Sequence, residues 1–519
     1  MKKVILIIID ALTSRVVIPA MKEGRLPNIQ ALAEAGSLNS ECISIFPSIT
    51  HAATASIATG RYPRDHGIAG THWYAHQDEQ MVYYGSDLWV ILGEGLNQFL
   101  ENFAIKLNHE WLQAETVYQT VERAGLRAAC INHLIFRGDV EHKIDTPQLL
   151  EMLSIAPSKK TVYGPSLLGM GDFIPMFSQV TAETEALEVS GGMLHRFGFD
   201  DNHTADVLIQ LAKMDKLPDF TLAYFPDNDY SSHKEGPAAA LPIIEAIDER
   251  LGDFFEACGG LSRLLEDYSI VLTGDHAQSE TKVETTTAGI ALDELLEDFT
   301  IAPIGQSWRE QDQLIACPNL RMAQIYFKKP TSQQVDAIVK QLLTEPRVDQ
   351  VIWRGGLKDD EVSGDYFVST GDRGGLHFWP GMEGPNTAKD VYGCVWSWRG
   401  NLEAVDGWLS ADGIITFSDY PNAFERIAGG LECPTSGQIW VTARPGYEFT
   451  RWEMSLHNDG GSHASLHAGD SIVPLILAGA PEGITLPAYP RTVDLVPLCL
   501  TILDLEPSYA IGASHIQQK

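Results

Sequence analysis

A chain of 519 residues with 44% hydrophobic content is long enough for a large core and more than one domain, and it has no low-complexity tract that would mark disorder. Its 37 basic against 69 acidic residues give a formal charge of -32, which argues against polymeric DNA or RNA as a partner, because that affinity rests on neutralising many phosphates with Lys and Arg. A small phosphorylated substrate stays compatible with the charge, since bound divalent cations reverse the local field.

Met1-Lys2-Lys3 followed by VILIII has the outline of a signal peptide. The apolar run is too short, lacks a small-residue cleavage site and ends in Asp10, so it reads as a buried parallel strand. No stretch reaches the roughly 18 to 20 apolar residues of a membrane span. The seven cysteines, Cys42, Cys130, Cys258, Cys317, Cys394, Cys433 and Cys499, never form a CxxC pair, which argues against a disulfide framework or a thiolate zinc site. The expectation is a soluble cytoplasmic protein that engages no membrane. Nothing in the sequence sets its oligomeric state.

Further along, apolar β-branched runs at 4–9, 128–132, 220–225, 269–274, 437–442 and 472–477 alternate with amphipathic segments at 26–35, 114–124, 237–257 and 492–503. That alternation predicts an α/β fold with a mostly parallel central sheet covered by helices on both faces. Between 281 and 432 the rhythm changes. NLRMAQIYFKK, TSQQVDAIVKQLL and VDQVIWR read as strand, helix and strand, followed by GDYFVST and a Gly, Pro and Trp-rich stretch from 371 to 400. This predicts an inserted α+β cap at 281–432, with the catalytic core in two parts, 1–280 and 433–519, resuming at GQIWVTA. A Gly, Met and Phe-rich stretch within 160–205 reads either as a lid or as a packed surface excursion.

Ligands of such sheets bind beyond the carboxyl ends of the strands. Asp10 directly follows the first run, Asp229 and His233 lie in DYSSHKEGP just past FTLAYF, and Asp275 with His276 ends SIVLTGD. Thr50 in FPSIT and His463 in GGSHASLH complete the set. Taken singly, each has a bland explanation, with Thr50 and Asp10 as helix caps; His51, His66 and His72, beside the Thr50 segment, read as packing groups or as supports behind the ligands rather than as ligands. His463 is preferred to His467 because the preceding glycine pair lets backbone approach a site closely. His133, His203, His377 and His457 read as surface or cap residues, with His377 a faint candidate for substrate contact.

Together these residue types suit phosphorus ester cleavage on two divalent ions roughly 4 Å apart, with Thr50 as the nucleophile at a helix N-terminus. Carboxylates and imidazoles without thiolate favour Zn²⁺ or Mn²⁺ over aquated Mg²⁺.

The order Asp10, FPSIT with Thr50, IATGRYPRDHGI, Asp229-x-x-x-His233-x-x-Gly236-Pro237, Asp275-His276 and His463 resembles the alkaline phosphatase superfamily. Within it, the type I phosphodiesterase/nucleotide pyrophosphatase group is most similar, with phosphonoacetate hydrolase a near cousin. The resemblance spans roughly 1–280 and 435–519 and leaves the insert uncovered. It implies one metal held by Asp229, His233 and His463, a second held by Asp10, Asp275, His276 and the Thr50 oxygen, and a phosphothreonine intermediate. It also implies a phosphate-contacting Asn three residues after the nucleophile, where this chain has Ala53; losing one such donor costs on the order of 2 to 4 kcal/mol of transition-state stabilisation.

The expected activity is hydrolysis of small phosphodiesters or nucleotide pyrophosphates. Phosphonate hydrolysis and phosphomonoesterase activity are the alternatives, the latter turning on a cation such as Arg61 or Lys234 near the phosphoryl oxygens. A phosphomutase and a non-catalytic metal-binding scaffold are weaker readings. The residues after Thr50, His51-Ala52-Ala53-Thr54, lack the Cys/Ser-x-Pro-x-Arg setting of a sulfatase. Tyr163, Phe173, Trp379 and Trp396 either stack a base or pack together, with packing the preferred use.

Overall fold

The first strand, Lys3–Ile9, lies between Tyr268–Thr273 and Phe220–Phe225 and runs parallel to both, with Ile5 opposite Ile270 on one side and Thr221 on the other. The sheet has seven strands in the computed structural model, which describes residues 2–76, 78–84, 101–144, 160–176, 189–282, 288–357, 361, 364–452, 454 and 456–513. Ala128–Ile131 and Leu167–Gly169 extend it in parallel beyond Phe220–Phe225. At the other edge, Ile472–Ala478 runs antiparallel to both Tyr268–Thr273 and Gly36–Ile43. The fold is therefore α/β with a mostly parallel sheet and one reversed strand.

Alternation along a pleated strand sends successive side chains to opposite faces. Val4, Leu6 and Ile8 pack on one side with Val117, Val121 and Leu495. Ile5, Ile7 and Ile9 pack on the other with Val17, Ile29, Val207 and Leu251. Helices thus cover both faces. In Leu241–Ala257 the apolar positions Ile244, Ile247, Leu251 and Phe254 recur at helical spacing and are buried, and each such side chain stabilises by roughly 1.5–3 kcal/mol relative to exposure.

A second sheet of eight antiparallel strands takes the order Leu314–Asn319, Met322–Phe327, Ile439–Ala443, Val348–Arg354, Tyr366–Ser369, Gly375–Pro380, Val395–Gly400 and Asn386–Lys389. Ser332–Leu342 packs against it through Val335, Ile338 and Leu342. One strand differs from expectation: the sequence pattern puts GQIWVTA in the parallel sheet, yet Ile439–Ala443 is inserted between Met322–Phe327 and Val348–Arg354. An apolar run buried on both faces satisfies either sheet equally, so its local pattern does not choose. Of the expected lid, Leu167–Gly169 is an edge strand of the central sheet, and 177–188 lies outside the described residues. Parts of the expected cap, 283–287, 358–360 and 362–363, also lie outside them.

All seven cysteines are free thiols. Among the described residues, no helix is long and apolar enough to cross a membrane.

Candidate active site

Parallel pairing aligns the carboxyl ends of three neighbouring strands, and the acids follow from it. Asp10 leaves Lys3–Ile9 with its N–H on the Phe225 carbonyl, 2.9 Å away. Ala11 then adopts a left-handed conformation, φ 55°, and donates its N–H to Asp275 Oδ1 at 3.2 Å. Asn228 fixes the same turn by donating to the Asp10 and Ala11 carbonyls at 2.8 and 3.1 Å. A non-glycine residue at positive φ costs about 1–3 kcal/mol and persists where surroundings over-determine it. Ala464, directly after His463, is a second case at φ 89°.

The structure brings together all seven expected residues. His276 Nε2 lies 3.1 Å from Thr50 Oγ1, 3.4 Å from Asp10 Oδ1 and 3.7 Å from Asp275 Oδ2. His463 Nε2 is 3.2 Å from His233 Nε2 and 3.6 Å from Asp229 Oδ1, and His233 Nε2 is 3.4 Å from Asp229 Oδ2. The His276 and His463 rings stack with centroids 3.9 Å apart, which joins the two groups. Asp10, Asp275 and His276 offer ligand atoms within 4.8 Å of one another, as do Asp229, His276 and His463.

Thr50 is the first residue of the helix Thr50–Thr59, and Ile49 occupies the capping position without a side-chain hydrogen bond. The Thr50 hydroxyl is therefore free of the capping role and faces the cluster beside the helix's unpaired N–H groups. His467 stands apart, its Nδ1 accepting from Gly469 N at 2.9 Å. The glycine pair before His463 does approach closely: a Cβ on Gly460 would meet the His233 carbonyl oxygen at 1.8 Å, and one on Gly461 would meet Gln278 Oε1 at 2.2 Å. Gly460→Ala is expected to destabilise the protein by at least about 1–3 kcal/mol through that backbone clash, read as a lower urea midpoint; an unchanged midpoint would refute the close approach.

The donor set fits divalent cations. Nδ1 of His233, His463 and His276 faces the carbonyls of Gly461, Ser48 and Ala277 at 2.9, 2.9 and 3.2 Å. A ring donating from Nδ1 presents its Nε2 lone pair inward, here toward other lone pairs and carboxylates. Asp10 Oδ1 and Asp275 Oδ2 are buried without a hydrogen-bond partner among the described residues. Burial and the neighbouring Asp275 and Asp229 carboxylates hold the Asp10 pKa well above the usual range, and burial raises that of Asp275 against the pull of His276. Burial also opposes ionisation of Asp229, but His233 and His463 outweigh it and lower its pKa. His233 is desolvated too, yet Asp229 raises its pKa, whereas burial and the adjacent His276 push His463 down. A proton on His233 relieves one pair of groups; the remaining facing acceptors call for a cation.

Several groups that hold or line this site carry no sequence motif. The Tyr224 hydroxyl, on the strand position paired with Ile8, donates to Asp10 Oδ2. The Gln278 amide donates to Asp229 Oδ1. Groups that orient ligands in this way typically account for 10–100-fold in metal affinity or activity. Gln278→Leu is accordingly expected to lower zinc affinity about 10–100-fold, read by competition with a chromogenic chelator; unchanged affinity would show that the Asp229 orientation does not depend on it.

His457, expected at the surface or in the cap, instead lines the cavity, its ring 4.3 Å from that of His233 and its Nδ1 3.2 Å from Glu448 Oε2. His51 also lines it, stacked on Tyr84 at 4.5 Å and kept neutral by burial, with its pKa lowered to about 3. His66 and His72 are buried packing groups, as expected. His133 and His203 bond to the Ile135 and Ser190 carbonyls. His377 pairs with Asp365 and packs on Phe367, away from the cavity.

The cavity measures about 280 Å³. None of Tyr163, Phe173, Trp379 and Trp396 lines it; Tyr83, Tyr84, Tyr230 and Phe449 do. Ala53 is wholly buried in an apolar cluster with Phe46, Tyr62 and Met322, so that position faces the second sheet rather than the cavity. Thr71 lines the cavity with its hydroxyl 3.1 Å from His51 Nδ1, whereas the Asn319 amide is engaged by the Thr71, His72 and Cys317 backbone. Arg61 lies on the Tyr509 ring and bonds Ser508, whereas Lys234 lines the cavity together with Arg196.

Carboxylates, imidazoles and one threonine thus meet at one edge of an α/β sheet. The sequence profile of the type I phosphodiesterase / nucleotide pyrophosphatase family matches residues 4–466. The chain belongs to that family. Among solved structures it is similar to phosphonoacetate hydrolase from Sinorhizobium meliloti 1021 in complex with phosphonoformate, at 17% identity over 96% of both chains with a TM-score of 0.57. The complex of that enzyme with phosphonoacetate gives 17% identity, the same coverage and a TM-score of 0.56. No curated protein sequence matches the chain significantly.

Proposed function

We propose that the chain is a metal-dependent hydrolase of small phosphodiesters or nucleotide pyrophosphates acting through a phosphothreonine at Thr50. The observation that carries this reading is the Thr50 hydroxyl, at a helix N-terminus and 3.1 Å from His276 Nε2, where the two ligand groups adjoin. Asp229, His233 and His463 would hold one ion; Asp10, Asp275, His276 and the Thr50 oxygen would hold the other, with Zn²⁺ or Mn²⁺ suited to both. Such ions supply charge neutralisation at the phosphoryl oxygens and lower the pKa of a hydroxyl beside them. The Thr50 oxygen bonds to phosphorus as the leaving oxygen departs, its proton passing to solvent, and water then cleaves the phosphothreonine. The helix N–H groups favour the anionic phosphoryl group throughout.

A phosphonate substrate is the second reading. It is favoured by the cavity of about 280 Å³, near the lower end of ligand pockets at roughly 300 Å³, and by the phosphonate-bound state of the similar structures. The presence of Asn319 and Leu320 on the cavity wall supports reading 281–432 as a cap over the site. Free thiols throughout are consistent with residence in a reducing compartment such as the cytoplasm.

The test is a turnover screen of zinc- or manganese-loaded protein across bis-p-nitrophenyl phosphate, p-nitrophenyl phosphate, a dinucleoside polyphosphate and phosphonoacetate. Preference for the diester or polyphosphate supports the first reading and preference for phosphonoacetate the second. No turnover of any of them would reject both.

A further inference from the structure

The cavity that holds the candidate metal ligands also carries basic groups that the reaction at Thr50 does not use. Two basic side chains, Arg196 and Lys234, line the cavity. Both address one ring. Tyr230 and Lys234 stand one turn apart on the helix Asp227–Glu235, with Lys234 Nζ 3.8 Å from the Tyr230 ring centroid and 2.5 Å from its hydroxyl. The Arg196 guanidinium lies 5.4 Å from the same centroid and pairs with Asp227. An aromatic face attracts a cation without neutralising its charge. Among the described residues, Lys234 pairs with no carboxylate, so its charge is open to a ligand.

The Arg196 position is built rather than incidental. Arg196 and Phe197 are consecutive non-glycine residues in the left-handed region, at φ 47° and 56°. Asp172 N donates to the Phe197 carbonyl at 2.8 Å and the Asn132 amide to the Gly198 carbonyl at 2.8 Å. Gly171 allows this approach, since a Cβ there would meet Phe197 O at 2.1 Å. Asp227, the partner of Arg196, is itself held by accepting from Asp201 N at 3.0 Å. In a chain of charge -32, two basic side chains on the wall of one small cavity mark where a ligand's charge is met.

We propose that Arg196 and Lys234 form a second anion subsite, which binds a carboxylate or phosphate group of the substrate other than the phosphoryl group under attack. The proposal rests on the hydrolase reading and narrows its substrate class to compact molecules carrying two anionic groups. A planar guanidinium fork and a mobile ammonium suit either a carboxylate or a phosphate. Tyr230, 40% exposed at the cavity's edge, keeps the two cations together.

The test uses three p-nitrophenyl phosphodiesters that share a leaving group and differ in the retained one: propyl, 2-carboxyethyl or 2-phosphonoethyl. With zinc-loaded protein, at least one anionic ester is expected to exceed the propyl ester in kcat/KM by about tenfold. The larger ratio identifies carboxylate or phosphate as the recognised group. The ratio should fall toward one in the double variant Arg196→Gln/Lys234→Gln, recover in part in Arg196→Lys, and stay unchanged in Arg61→Gln, whose guanidinium lies outside the cavity. Equal rates for all three esters would overturn the proposal. So would a double variant that slows all three alike, because the cations would then serve the attacked phosphoryl group itself.

Calorimetry separates this proposal from the one beneath it. Zinc-loaded Thr50→Ala protein should bind 3-phosphonopropionate about tenfold more tightly than propylphosphonate. Equal affinities overturn the subsite whether or not the esters are cleaved. A preserved preference without ester cleavage supports the subsite and sinks the hydrolase reading alone.

Discussion

Thr50→Ala is expected to lower kcat on a phosphorus ester by roughly 10⁴- to 10⁶-fold, the scale on which removing a catalytic nucleophile acts. The residual rate would reflect binding and electrostatic stabilisation by groups that the substitution leaves in place. The methyl side chain loses the only atom of Thr50 that faces His276 Nε2 at 3.1 Å, and the helix it begins loses no cap, because Ile49 holds that position. Folding should therefore be preserved, and thermal unfolding should match the parent. Acid quenching during turnover of a radiolabelled ester should trap phosphate on Thr50 in the parent and on no residue of the variant. Undiminished activity in Thr50→Ala, or label trapped elsewhere, would remove Thr50 from the chemistry.

Metal removal should produce the second large effect, on activity and on stability together. Chelated protein is expected to lose turnover and regain it with Zn²⁺ or Mn²⁺. A ligand at about 100 times its Kd stabilises the folded state by roughly 2.7 kcal/mol per site, so the metal should raise Tm measurably.

The pH dependence carries a sign. In chelated protein the pKa values of Asp10 and Asp275 are raised by burial, and that of His233 is raised because Asp229 outweighs desolvation. A folded state that binds more protons than the unfolded chain loses stability as pH rises. For the two aspartates the loss begins near their unfolded value of about 4, and for His233 it begins near about 6.5, each continuing through the raised folded value. Asp229, with its pKa lowered, acts in the opposite sense and contributes stability that is lost only as pH falls. His463 and His51, whose pKa values burial lowers, act with Asp229 and gain stability as pH rises to about 6.5. The effect is therefore read as the difference between metal-loaded and chelated protein: the metal-dependent gain in Tm should grow as pH rises, because the ion displaces the protons held by Asp10, Asp275 and His233. A chelated protein that stays active, with a Tm indifferent to pH and metal, would end the two-ion reading.

Much of the site could be read from residues because its parts are local. An apolar run ending in Asp, such as VILIIID or SIVLTGDH, states both the strand and the acid at its carboxyl end. Parallel pairing then carries Asp10, Asp275 and the start of Asp227–Glu235 to one edge. The glycines before His463 gave a local reason to prefer it to His467, and Gly460 does lie against the His233 carbonyl. Ala53 misled for a corresponding reason. Its spacing from Thr50 is visible in the chain, but the face of the helix it occupies is set by the second sheet packing against it.

What the chain determined by itself was the residue chemistry and the periodicity of its elements: carboxylates, imidazoles and a threonine placed at element ends by short-range patterns. Tertiary structure alone decided that Ile439–Ala443 joins the antiparallel sheet, that His457 leans on His233, and that a turn at Arg196 brings a guanidinium to Tyr230. Each of these depends on partners distant in the chain, and hydrophobic burial is non-directional. An apolar strand, an imidazole or a basic side chain has no local preference among partners that bury it equally well; shape and charge across the assembled cavity make that choice.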